Sequence, residues 1–346
     1  SAAHAAELLA RLRAAESTPE SAATALGMSE AIRGVFDSGE PILAALAAVE
    51  RAMGWDAREA VAIVGASAGA EMGAMLGAGI SVREINDALA GRATDARLRE
   101  HLAYHPGMVP PVPSPRWPGL GMTARVVTGT AAPLVAAAGL LPQGRGDASW
   151  LRALGAELSN DTGWVDHPAL WIGTADVRTG ERVTLGTPGA PAAPLGDAIA
   201  ASWAIPGWFP PVRIGDRDLI DGGTCSTASA DLLLDADVDE VVIIAPMTSH
   251  GGAPGRGLSR LERLLRHAMT QRLDREVDML GRAGVGVIRV EPTVGELDAM
   301  GPNFMDLRRR EATLAAARAA VPATVAAALA ERHRRSTHVS AQEISA

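Results

Sequence analysis

A serine held between two glycines is the first feature of the chain with chemical content. Gly65-Ala66-Ser67-Ala68-Gly69 is a G-x-S-x-G pattern. The four apolar residues before it, Val61 to Val64, read as a short buried strand, and residues 68–79 read as a helix of small residues. Strand, tight turn and helix with a serine at the tip is the sequence form of a nucleophile elbow. So tight a turn leaves no room for bulk, and Gly65 and Gly69 are expected where a Cβ would clash. The serine hydroxyl is then held in the open above a sheet. N–H groups at the start of the helix, that of Ala68 among them, point at the same spot and favour a developing oxyanion.

The pattern alone is a weak signal, since glycine and serine are common here. A dinucleotide-binding turn would need glycine at position 67 and an acid closing a second strand about 20 residues on. Glu84 and Asp87 lie nearby but fall in a helical pattern. A membrane span over 61–80 would bury Glu71 at mid-bilayer, at high cost. Gly69, Gly73 and Gly77 read better as a smooth helix face against a sheet.

Other residues with chemistry are sparse. His101, His105 and His167 fall in or near expected loops and read as loop or surface residues; a Ser67–His167 pair with an acid is the alternative catalytic arrangement. Cys225 reads as a small packed residue. No spacing of His, Cys and acids suggests a metal site, and no cofactor is called for.

These residues need a scaffold, and the chain is long enough for one large α/β domain or two small ones, with 346 residues. Net charge is −8, which gives no support to a nucleic-acid role. All 32 basic residues are arginine, a bias of coding rather than of chemistry. A single cysteine excludes an intramolecular disulfide, and the first apolar stretch is interrupted by His4, Glu7, Arg11 and Arg13. Both favour the cytoplasm, with peripheral contact at a membrane kept open.

Residues 3–15 read as an amphipathic helix, 22–28 as a weak edge strand and 41–53 as a helix. Residues 81–104 read as helical. Residues 105–121 carry six prolines and can only be a loop or lid. A helix is expected over 126–141. Strands are expected at 169–176 and 182–185 around the turn Arg178-Thr179-Gly180, and at 212–214 and 218–220 around Gly215-Asp216. A short helix at 197–203 lies between the two hairpins. Strand 240–245, long helix 258–282 and strand 285–290 read as a parallel crossover. Arg256, Arg260, Arg263 and Arg266 cluster there at helical spacing and read as a solvated face, with a membrane-contact surface as the alternative. A last helix covers about 306–335, with Pro322 as a bend.

Three segments together resemble the patatin-like phospholipase family, in its bacterial type. They are the elbow, the run Ala201-Ser202-Trp203-Ala204-Ile205-Pro206-Gly207-Trp208-Phe209-Pro210-Pro211-Val212, and Asp221-Gly222-Gly223. Similarity extends weakly to residues 301–306. The resemblance implies one α/β domain over 27–335, a mainly parallel sheet flanked by helices in a three-layer architecture. Residues 1–26 would be a helical extension and 336–346 a disordered tail. It implies a lipid acyl hydrolase of phospholipase A or esterase type, active in lipid degradation on a lipid or acyl-ester substrate. Ser67 would be the nucleophile, Asp221 its base, and Arg33, Gly34 and Ala68 the oxyanion donors. Ile205, Trp208 and Phe209 are candidates to line an acyl channel, with core packing as the alternative.

One segment departs from the family. Its glycine-rich run, of type G-G-G-x-R-G, has Arg33-Gly34 as counterpart, but Met28, Ser29, Glu30 and Ala31 stand where glycines are expected. Side chains there would crowd Ser67, and Glu30 would repel an oxyanion, so impaired activity is expected. Two alternatives therefore stay open: a non-catalytic or weakly active lipid-binding or scaffold protein, and an acyltransferase.

Overall fold

The computed structural model describes residues 39–102, 111–127, 135, 138–250, 252, 259–300 and 309–343. They fall into two compact units, one of residues 60–229 and one of 40–59 with 230–343. The division runs inside the 27–335 span expected as a single domain. The expected elements at 3–15 and 22–28, the oxyanion residues Arg33 and Gly34, His105, most of 126–141 and the segment 301–306 lie outside the described residues.

The unit of residues 60–229 is a sheet flanked by helices. Its strands are β1 (Ile63–Gly65), β2 (Leu170–Asp176), β3 (Arg182–Leu185), β4 (Val212–Ile214) and β5 (Arg217–Asp221). β1 pairs parallel to β2, with Gly65 opposite Ile172. The pairings β2–β3, β2–β5 and β4–β5 are all antiparallel. The expectation of a mainly parallel sheet is therefore corrected: the sheet is mixed. The reason is local, because two of these pairs are hairpins closed by the expected short turns, and short turns join only antiparallel strands.

The register explains why the site forms where it does. β3 occupies one edge of β2 over residues 172–175. β1 pairs with residues 170–172 and β5 with 174–176, so both must share the other edge. β1 runs towards Gly173 from one side and β5 runs towards it from the other. Their carboxyl ends meet there, and those ends lead into Ser67 and Asp221.

Helices cover the sheet. The helix Ala68–Gly77 lies on β1 and β2 by its small residues: a Cβ on Gly73 would stand 3.0 Å from both Ile63 and Leu170, and one on Gly77 2.9 Å from Val165. The expected helical stretch 81–104 is two helices, Val82–Leu89 and Ala96–Leu102, broken at Gly91, which has φ +74°. Ser81 and Glu84 close the start of the first in a reciprocal capping box. An unexpected helix, Ser149–Leu158, crosses Leu195–Ser202 so closely that a Cβ on Gly155 would meet Gly196 at 2.2 Å.

In the other unit β6 (Glu240–Ile244) and β7 (Gly286–Val290) pair in parallel through the crossover helix Ser259–Arg282, as expected. Ala48 and Val49 of the helix Gly39–Met53 join Ile288, Val290, Val321 and Val325 in one core. The last helix, Arg310–Glu343, is long and apolar enough over 312–332 to cross a membrane, but it spends its apolar face on this core. It runs past the expected end near Arg335, into the stretch expected as a disordered tail. Two arginines of the crossover helix are engaged: Arg266 is buried and donates to the carbonyls of Pro246 and Thr248, and Arg263 pairs with Asp298.

Candidate active site

Ser67 stands between the end of β1 and the first turn of the helix Ala68–Gly77, with φ 53° and ψ −122°. This is a strained conformation for a residue with a Cβ, and such strain persists only where the surroundings enforce it. Gly65 is one enforcer. A Cβ there would lie 2.2 Å from the carbonyl oxygen of Gly69, so the turn closes only on glycine. Gly69 differs from its expected role: a Cβ on it would meet open space. What the turn needs at position 69 is the backbone carbonyl packed on Gly65, not the missing side chain.

A second brace was not anticipated. The N–H of Ser67 donates to Ser202 Oγ at 2.9 Å, and Ser202 Oγ donates to the carbonyl of Gly173 at 2.7 Å. Ser202 is fully buried at the end of the helix Leu195–Ser202. One hydroxyl thus ties the elbow to the centre of β2. Its sequence signal is faint, a lone hydroxyl in the run Ala200-Ala201-Ser202-Trp203. With the N–H of Ser67 committed, the neighbouring donor is that of Ala68, which has no acceptor among the described residues.

Asp221 ends β5 and arrives at the same place. Its N–H donates to the carbonyl of Ala204, and its carboxylate accepts the N–H of Gly223 at 2.7 Å. The Ser67 side chain lies close enough to that carboxylate to favour its ionised form. Burial pushes the Asp221 carboxyl up to about 6, against the opposing pull of the Gly223 N–H and the Ser67 hydroxyl. Gly222 is glycine because a Cβ there would lie 2.3 Å from the carbonyl of Gly173. Gly173 is therefore the floor on which elbow, Ser202 and the D-G-G turn all rest. Ser67 itself stays partly exposed.

The histidines are placed elsewhere. His167 Nε2 meets the carbonyl of Ala60 at 2.8 Å, and Nδ1 accepts the N–H of Ala169. Both ring nitrogens are engaged by backbone at the starting end of β1, away from Ser67, which corrects the Ser67–His167 alternative. His101 is not a surface residue: it is buried, 2.7 Å from Glu71 through Nε2, and stacked on Trp150. Glu71 in an otherwise apolar helix is the signal that announces such a partner. Cys225 is half-buried and packs beside the cluster of Met122, Ala175 and Ile220.

Of the residues expected along an acyl channel, Phe209 is buried against Gly146, where a Cβ would meet its ring at 2.7 Å. Ile205 and Trp208 are half-buried, and the Trp208 and Phe209 rings stack at 6.4 Å.

A serine on a strained strand-to-helix turn beside a buried carboxylate, within a mixed sheet flanked by helices, is consistent with a lipid acyl hydrolase class. The family model for patatin-like phospholipases matches residues 43–234, more than half of the chain, and the chain belongs to that family. No curated protein matches it.

Proposed function

We propose that the protein is a serine acyl hydrolase that cleaves fatty-acyl esters of phospholipids or acylglycerols through Ser67 and Asp221. The observation that carries this reading is the convergence of β1 and β5 at Gly173, which brings Ser67 on its strained turn beside the buried Asp221 carboxylate, pushed up to about 6. In the reaction the Ser67 oxygen attacks the acyl carbonyl and its proton passes to Asp221. The N–H groups of Ala68, Arg33 and Gly34 hold the oxyanion. Collapse expels the alcohol, which leaves with the proton from Asp221, and water then frees the fatty acid by the same steps. Ile205 and Trp208 flank the acyl chain. The protein works in the cytoplasm, in peripheral contact with lipid.

Activity on simple esters is low in this reading, because Met28, Ser29, Glu30 and Ala31 replace the family's glycines. Replacing Ser29, Glu30 and Ala31 with glycine is expected to raise turnover. The same substitutions favour the second reading, a non-catalytic lipid-binding protein on the same fold. Labelling with a fluorophosphonate, with mapping of the modified peptide, separates the two. Modification at Ser67 and its loss in Ser67→Ala support the hydrolase. An unlabelled Ser67 in a protein that hydrolyses no acyl ester leaves the lipid-binding reading. Product analysis with and without an added alcohol distinguishes hydrolysis from acyl transfer.

A further inference from the structure

From Glu100 to Asp147 the chain has no acidic residue between them, in a protein whose net charge is −8. Arg116, Arg125 and Arg145 lie in this stretch. The same stretch displays most of the large apolar side chains that the described residues expose: Val112 at 83%, Trp117 at 47%, Leu120 at 55%, Leu140 at 57% and Leu141 at 46%.

The two stretches that carry these side chains lie side by side. Ser114 N–H donates to the carbonyl of Gln143, and Gln143 N–H to that of Arg116. Gly119 and Gly139 touch, since a Cβ on Gly119 would stand 2.6 Å from the Gly139 Cα. Leu120 and Leu140 follow directly on those two glycines. The face is also fixed to the scaffold. A Cβ on Gly121 would lie 2.5 Å from the carbonyl of Arg178, and one on Gly144 2.1 Å from the backbone of Trp208. Leu141 borders Gly207, two residues along from Ile205 and within the segment whose Ala204 carbonyl holds the N–H of Asp221. Leu141 thus borders the segment 204–208 that also holds the backbone of Asp221.

We propose that this face, residues 112–120 with 139–145, docks the protein on an anionic lipid surface. Exposed apolar residues with a tryptophan among them insert at the interface of a bilayer. Exposed Arg116 and Arg145 meet anionic head groups, with no carboxylate in the segment to oppose them. The proposal rests on the lipid-substrate reading and adds the face through which lipid is approached.

The test is sedimentation of the full chain with vesicles of phosphatidylcholine and phosphatidylglycerol in equal parts, against phosphatidylcholine alone. Binding needs no turnover, so Ser67→Ala is run beside the wild type, and a failed hydrolase reading does not disturb the result. The wild type is expected to bind the anionic vesicles, less tightly at high salt. The triple variant Trp117→Ser, Leu120→Ser, Leu140→Ser, checked by circular dichroism, is expected to bind at least about tenfold more weakly. Arg116→Gln with Arg145→Gln is expected to lose about five-fold per arginine on anionic vesicles only. A wild type that sediments with neither vesicle, or a triple variant that binds like it, overturns the proposal. So does concentration-dependent self-association that the triple variant abolishes without any vesicle binding, which would assign the face to a second copy.

Discussion

The N–H of Ser67 and the hydroxyl of Ser202 are hydrogen-bonded at 2.9 Å, although 135 residues separate them. Since Ser202 Oγ also donates to Gly173, one buried hydroxyl holds the strained serine on the sheet. Ser202→Ala leaves a buried N–H and a buried carbonyl without that partner, a cost of ~1–3 kcal/mol in stability. A misplaced Ser67 oxygen lowers kcat by up to ~10²-fold. Because Ser202 acts through Ser67, KM for a chromogenic ester should change little, and Ser202→Thr should restore part of the rate. A KM effect alone would assign Ser202 to substrate binding instead.

Asp221 sets the pH dependence. As a base it works ionised, and its carboxyl is pushed up to about 6 by burial. The kcat/KM of the wild type is expected to rise with pH through about 6 and to level off above it. A profile flat from roughly pH 5 to 8 would remove Asp221 from the role of base.

The same burial has a cost in stability. A folded pKa raised from 3.8 to about 6 disfavours the ionised form in the fold. Its stabilising contribution is complete below about pH 4 and is lost as pH rises through about 6. At pH 7 the ionised carboxylate costs about 3 kcal/mol. Asparagine carries no such charge and still offers an oxygen to the Gly223 N–H. Asp221→Asn is therefore expected to lower turnover by ~10² or more. It should also stabilise the protein at pH 7, with the gain shrinking towards pH 4. Urea unfolding at the two pH values is the check, and an equal effect at both would contradict a pKa raised in the fold.

How much of this could be read from sequence depends on how local each feature is. The elbow, the D-G-G turn and the two hairpins are written within a few residues each, and the elements around them were legible. The helix Ser149–Leu158 was not, although Trp150, Leu151, Leu154 and Leu158 have helical spacing. Gly155 argues against a helix there, and only the crossing with Gly196 explains it. The meeting of β1 and β5 at Gly173 is a matter of register between distant strands, which no local pattern encodes. The hydroxyl of Ser202 and the partner of Glu71 are equally non-local.

Glu71 and His101 form a buried pair at 2.7 Å. His101→Leu removes the hydrogen-bond partner of a buried carboxyl group, at a cost of ~1–3 kcal/mol. Replacing both residues with apolar ones of similar volume, Glu71→Met with His101→Leu, should recover most of the loss. A double variant no more stable than the single one would show that the pair contributes through packing around Trp150 rather than through its hydrogen bond.

The two glycines of the elbow are expected to respond in opposite ways. A Cβ at position 65 meets the Gly69 carbonyl at 2.2 Å, which is backbone and has nowhere to go. Gly65→Ala must then open the turn, carry the Ser67 oxygen away from Asp221 and abolish ester hydrolysis and fluorophosphonate labelling together. At position 69 the Cβ meets nothing, and the residue lies in the first turn of a helix. Alanine favours a helix over glycine by up to ~1 kcal/mol, so Gly69→Ala should leave the fold intact or slightly more stable. The open space beside Gly69 adjoins Ser67, so any loss in Gly69→Ala should appear in KM for bulky acyl esters before it appears in kcat. Melting temperatures and the kcat and KM of both variants on a short and a long acyl ester decide the matter. A Gly69→Ala protein that unfolds as readily as Gly65→Ala would mean that the elbow needs both glycines for the same steric reason.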